Sequence, residues 1–155
     1  MATKKFHVGD VLSITTGRLV SPRHIDGVYD ILNFMTGDNL FTHQLPRASD
    51  ECKPHLLEQF PQLKDVNASG VTPENWQSWL NEQVARFGEE LTVQDIPEGR
   101  HEFRNPIEEM VEMVGAEKVI VAVHDWLAEA RQSHKPIADY YALGFSFLKN
   151  WKRAI

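Results

Sequence analysis

The sequence is poor in cysteine, in long apolar runs and in catalytic signatures, and each shortage removes a class of protein. Cys52 is the one cysteine in 155 residues. It cannot form an intramolecular disulfide, and a lone thiol fits a reducing compartment better than a secreted one. No stretch approaches the roughly 18 to 20 apolar residues that a membrane-crossing helix needs. The opening MATKKFHVGD is basic but lacks the apolar run of a signal peptide. These points predict a cytoplasmic protein that does not engage a membrane. TTGR at 15–18 has one glycine and no following Gly-Lys-Ser/Thr, so it is not a Walker loop. GxGxxG, GxSxG, HExxH and EF-hand patterns are absent, as are repeats and low-complexity stretches.

What is present describes an ordinary globular chain, with 42% apolar and 25% charged residues. Its length suits a single domain over 1–155. Within it, an N-terminal α+β part (about 1–70) precedes a helical acidic middle (about 71–133) and an aromatic C-terminal helix (about 135–152). The net charge of −6 is uneven: Glu74 to Glu129 holds 13 acidic and 4 basic residues, whereas Arg131 to Ile155 holds 5 basic and 1 acidic. Nucleic-acid affinity comes largely from Lys and Arg neutralising phosphates, so direct nucleic-acid binding is not expected. An acidic face either is simply solvated or attracts a basic partner, including a protein surface that ordinarily holds nucleic acid.

VLSITT (11–16) is rich in β-branched residues between Gly9-Asp10 and Gly17, which predicts a strand. SPRHIDGVYDILNFMTG predicts a helix with Ser21 as N-cap, Pro22 in its first position and Gly37 as a left-handed C-terminal cap. Ile25, Val28, Tyr29, Leu32 and Met35 form its core stripe. LFTHQL (40–45) alternates apolar and polar, a second strand placed to pair with the first and ended by Pro46. A short helix is expected near 54–60. Another starts at Thr72-Pro73-Glu74, carries Trp76, Trp79, Leu80, Val84 and Phe87 on one face, and stops at Gly88. Residues 91–95 predict a third strand, and the turn at 97–99 allows a hairpin with His101-Glu102-Phe103. Asn105-Pro106 caps a helix ended by Gly115. Residues 119–123 fit a buried strand and a helix face equally. The tail at 135–152 reads as a helix apolar over much of its circumference, buried in a core or covered in a homodimer. The fold class is therefore α+β, a small sheet of short strands packed with about five helices, mainly helical toward the C-terminus.

MTGDNLFTHQLPR (35–47) concentrates Thr36, Asp38, Asn39, Thr42, His43, Gln44 and Arg47 behind the first helix. Pairing of the first two strands would set them beside Thr15, Thr16 and Arg18 in one polar corner. There Asp38 could orient His43 as a base while Arg18 or Arg47 holds an anion. The same residues also read as a helix cap followed by turn chemistry. No motif positions a nucleophile, so no catalytic residue is assigned, and the sequence points away from an enzyme. His43, Cys52 and His55 supply three zinc-type ligands without the fourth, so neither a metal nor a cofactor is assigned. His124-Asp125 reads as an acid–base pair or, better, as a helix N-cap at Asp125.

HVGDVLSITTGRLVSPRHIDGVYDILNFMTGDNLFTHQLPRASDEC, with Pro61-Gln62-Leu63, WLNEQVARFGEEL and NPIEEMVEMVG, resembles a family of small uncharacterised phage and prophage proteins. The likeness covers roughly residues 5 to 115 and does not include the tail after Trp126. The family has no assigned activity, so no catalytic residue is implied. The resemblance implies a setting, the cytoplasm of an infected or lysogenic bacterial host, where small accessory proteins redirect host machinery. The expected function is binding of a host protein, as a host-takeover or anti-defence (anti-CRISPR-like) inhibitor, with a nucleic-acid-binding defence component as one such partner. The expected contacts are the polar corner or the acidic stretch Glu102, Glu108, Glu109 and Glu112. The alternative is a small enzyme or ligand-binding domain that holds a nucleotide or other anionic metabolite with Arg18, Asp38, His43 and Arg47.

Overall fold

A computed structural model describes residues 2–119. Among the described residues, 2–40 with Leu45–Glu102 form one compact unit, and Phe41–Gln44 with 103–119 belong to another. The strand at 90–94 returns to the N-terminal strand and ties this part of the chain to the first unit. The tail at 135–152, His124-Asp125 and all but the first residue of 119–123 lie outside the described residues; Val119 itself is helical.

The first unit opens with β1 (Thr3–His7) and passes directly into α1 (Val8–Thr16). The segment expected as a strand at 11–16 is thus a helix. Its β-branched residues carry a small helix penalty, but α1 is buried from Val8 to Thr15, so packing outweighs local preference. Gly9-Asp10 is its first turn rather than a boundary. The cap is His7, whose Nδ1 accepts from the Gly9 N–H at 2.9 Å, and Gly17 closes the helix at φ 74°. Ser13 and Thr16 donate to the carbonyls of Gly9 and Leu12 one turn back, which absorbs both hydroxyls.

Ser21 does not cap the next helix. It heads a turn in which its Oγ accepts from Arg23 N–H and its carbonyl accepts from His24 N–H. α2 (Ile25–Thr36) therefore starts later than the Ser-Pro signal indicates, and ends as expected at Gly37, φ 69°. The second expected strand, 40–45, is also absent. Leu40 is buried, Thr42–Gln44 form a 3-10 turn, and α3 runs from Leu45 to Gln59. Pro46 lies in the first turn of α3, where its missing N–H costs nothing, so it starts a helix instead of ending a strand. A second 3-10 turn (Pro61–Leu63) leads to α4 (Trp76–Phe87). Thr72-Pro73-Glu74 is the turn before α4, held by reciprocal bonds between Thr72 and Asn75.

β2 (Glu90–Gln94) matches the strand expected near 91–95 and pairs antiparallel with β1, Thr3 facing Gln94 and His7 facing Glu90. The turn at 97–99 forms, with Gly99 at φ 82°, but residues 101–105 are not a strand and no hairpin follows. Among the described residues the sheet has two strands, and the α+β class holds. The core of the unit gathers Phe6, Leu12, Ile31, Leu32, Met35 and Leu56, with Trp76, Trp79, Val84 and Phe87 of α4 packed on it. In the second unit, Asn105 caps α5 (Pro106–Val114) by accepting from the N–H groups of Ile107 and Glu108, and Gly115 ends it. None of the described helices is long and apolar enough to cross a membrane.

Helices α1 and α2 meet where no side chain fits. A Cβ on Gly27 would lie 2.2 Å from Ser21 Oγ and 2.3 Å from Asp10 Oδ1, both buried and bonded to each other. Gly27→Ala should lower stability by about 1–3 kcal/mol in urea denaturation, the range for overpacking. Gly70→Ala, with open space around it, should stay within about 0.5 kcal/mol of the parent. Equal midpoints for the two variants would contradict this packing.

Candidate functional site

Within the first unit, the polar residues gather around an imidazole that sequence reading did not nominate. The αL cap at Gly37 turns the chain so that Asp38 follows α2 directly, its Oδ1 accepting from Asn39 N–H at 2.7 Å. Arg47 and Glu51 are one turn apart on α3 and pair at 3.0 Å. The turn closed by Arg100 N–H on Pro97 O delivers His101. Its Nδ1 lies 2.5 Å from Glu51 Oε2 and its Nε2 2.8 Å from Asp38 Oδ2. Both ring nitrogens therefore face a carboxyl oxygen within hydrogen-bond distance. Arg47 also donates to Glu102 O at 2.8 Å, and Glu51 accepts weakly from Glu102 N–H. The cluster clasps the 97–102 loop to α2 and α3. It offers neither a nucleophile nor a base with an open face, because both ring nitrogens are engaged.

The expected corner rested on a strand pair, and both of its segments are helical or turn. Thr15 is buried in α1, and Thr16 Oγ1 donates to Leu12 O and accepts from Arg18 N–H. Arg18 is exposed just past the Gly17 cap, and Asn39 is exposed beside Asp38. Asp38 and Arg47 are brought together, but through Glu51 and His101. Thr42, His43 and Gln44 belong to the second unit. There His43 Nε2 lies 2.7 Å from Pro106 O, and since a carbonyl only accepts, that nitrogen carries the proton. Gln44 accepts from Phe41 N–H and donates to Arg104 O and Glu109. Of the acidic stretch, Glu109 is buried on Gln44 and is not a surface contact. Glu112 pairs with Arg104, Glu108 is exposed, and Glu102 falls in the first unit.

A second cluster centres on Asp10, which is 0% exposed. Ser21 donates to one oxygen, and Arg23 reaches the other at 2.6 Å. Arg23 also bonds Asp30 at 3.0 Å, and Lys4 bonds Asp30 at 2.8 Å. The hydrogen bond to Asp10 raises Arg23 above its ordinary value, against a smaller opposing effect of burial. Burial alone would push Asp30 up, but the bonds from Lys4 and Arg23 together outweigh it and hold Asp30 below the usual carboxylate value. Cys52, the lone thiol, lies on α3. It is fully buried, and burial pushes its thiol up to about 12, out of reach of thiolate chemistry. Among the described residues no group of three or more His, Cys, Asp or Glu could hold a metal ion.

Both clusters lie mostly inside the one segment that matches a family model. Residues 6–66 match the model of a domain of unknown function, DUF7736. No curated protein and no solved structure matches the chain. The matched span holds Asp10, Ser21, Arg23, Gly27, Asp38 and Glu51, but not His101.

Removing the imidazole leaves two carboxylates facing each other. His101→Ala should lower stability by about 1–3 kcal/mol, the cost of stranding buried hydrogen-bonding groups. It should also speed hydrogen exchange at the Glu102 amide. Unchanged stability with unchanged exchange would show that the clasp does not hold the loop.

Proposed function

We propose that the protein acts by binding another protein, as a phage or prophage accessory factor that redirects or inhibits host machinery, including its defence systems. Three lines support this reading. The 5–115 resemblance points to a phage setting. The polar groups of the Asp10 and His101 clusters are committed to one another, where chemistry would need them free. The observation that carries the reading is on the second unit: Phe103, Ile107 and Met113 are 67%, 48% and 53% exposed, among Glu108 and Glu112. Large apolar side chains set in an acidic surround give a partner both buried area and orientation. Such a partner would be basic at its rim and apolar at its centre, and a nucleic-acid-binding component of a defence system would supply the basic part. The alternative, a small enzyme or anion-binding domain, needs Arg47 and Asp38 available, and each is bonded within the His101 clasp.

Affinity purification from bacterial host lysate at low salt should recover one stoichiometric partner. Ile107→Asp should reduce its recovery by at least about tenfold, as loss of an interface anchor does. Glu108→Lys should weaken it less and flatten its salt dependence. Recovery that is indifferent to both variants would remove α5 as the contact.

A further inference from the structure

The two edges of the sheet are finished differently. Asp95 N–H bonds Ala2 O, and Val8 N–H bonds Glu89 O. With the antiparallel register, these bonds fix the phase: even residues of β1 turn their backbone groups toward β2, and Thr3, Lys5 and His7 turn theirs outward. On the far side of β2 the same phase turns Gln94 outward. There the Gln59 side chain of α3 accepts from Gln94 N–H at 2.8 Å and donates to its carbonyl at 3.1 Å. A strand cannot add at that position without expelling Gln59. Along β1, no hydrogen bond among the described residues reaches the N–H or C=O of Thr3 or Lys5, and both residues are exposed.

We propose that the outer edge of β1 is a docking site for an extended acidic segment of a partner protein, added as a third strand. The segment is extended because the open outward groups of Thr3 and Lys5 lie two residues apart, the repeat of a strand. It is acidic because of Lys5. Lys4, on the core-facing side, is already held by Asp30, whereas Lys5 is exposed and faces neutral Thr92 across the ladder. A second copy is a poor occupant, since β1 paired antiparallel with itself would set lysines against lysines. This edge belongs to the first unit, and its use does not depend on the α5 surface.

The test uses a peptide of about seven residues alternating Val and Glu, and its Val/Lys counterpart, with the full chain at about 0.1 M salt, where distant charges are screened. Lys5→Pro removes an outward N–H and no ladder bond, which an edge strand tolerates. Lys5→Thr keeps the N–H and removes only the charge. The acidic peptide should shift the amide resonances of Thr3, Lys5 and His7 and slow exchange at Lys5. Its affinity should fall severalfold in Lys5→Thr and at least tenfold in Lys5→Pro, and the lysine peptide should not bind. The proposal is overturned if the acidic peptide leaves these amides unmoved, or if both peptides bind alike. Equal affinity for Lys5→Pro and the parent would overturn it too. Self-association in sedimentation that Lys5→Pro abolishes would assign the edge to a second copy and overturn the acidic partner. Should Lys5→Pro fail to fold, the amide shifts and the two peptides still decide.

Discussion

A buried carboxylate sets the terms for the first unit. Asp10 is wholly removed from water inside α1, and an isolated charge there would cost several kcal/mol. Its two oxygens are satisfied from one direction only, the turn at 21–24, by the Ser21 hydroxyl and the Arg23 guanidinium. That requirement pins the turn to α1 and aims α2 back along it. Gly27 and Gly9 are the clearances that allow this, since a Cβ on Gly9 would lie 2.8 Å from Val20 O. Arg23 then carries the constraint outward to Asp30, and Lys4 carries it to β1. Burial of a charge is thereby turned into a fixed relation among two helices and a strand.

The same economy governs the Asp, Arg, His and Ser side chains of the two clusters. In the Asp10 cluster each donor meets an acceptor. In the His101 clasp both ring nitrogens and an arginine are consumed in holding a loop. A polar network that is fully satisfied makes a rigid scaffold, and rigid scaffolds present their surfaces for recognition. The binding surfaces proposed above, the α5 segment and the β1 edge, lie outside these clusters, where apolar groups or backbone bonds are left facing solvent.

Much of this was legible in the sequence wherever the signal is local. Gly37, Gly88 and Gly115 each stop a helix, Asn105-Pro106 starts one, and the tryptophan-bearing face of α4 packs on the core as its spacing indicates. The strand at 90–94 follows from composition, although its partner at Thr3–His7 does not. VLSITT misleads because a helix buried on all sides has no polar face to reveal its period, and because its cap is a histidine rather than Ser, Thr, Asp or Asn. LFTHQL misleads because its alternation spans the boundary between two compact units. His101 and Glu51 are fifty residues apart, and nothing in their neighbouring residues announces that they meet. The pairing of Asp10 with Ser21 and Arg23 is equally silent in sequence: Ser21 reads as an ordinary N-cap before a proline, and only the fold shows that it serves a different helix.

The Asp10 network is most directly tested by a double-mutant cycle in urea denaturation, using Asp10→Asn, Arg23→Ala and the pair. If the carboxylate and guanidinium act as one strut, the two losses will not add, and the coupling will fall in the range of about 0.5–3 kcal/mol seen for residues in direct contact. Losses that add to within about 0.5 kcal/mol, with Asp10→Asn close to the parent in stability, would contradict the account.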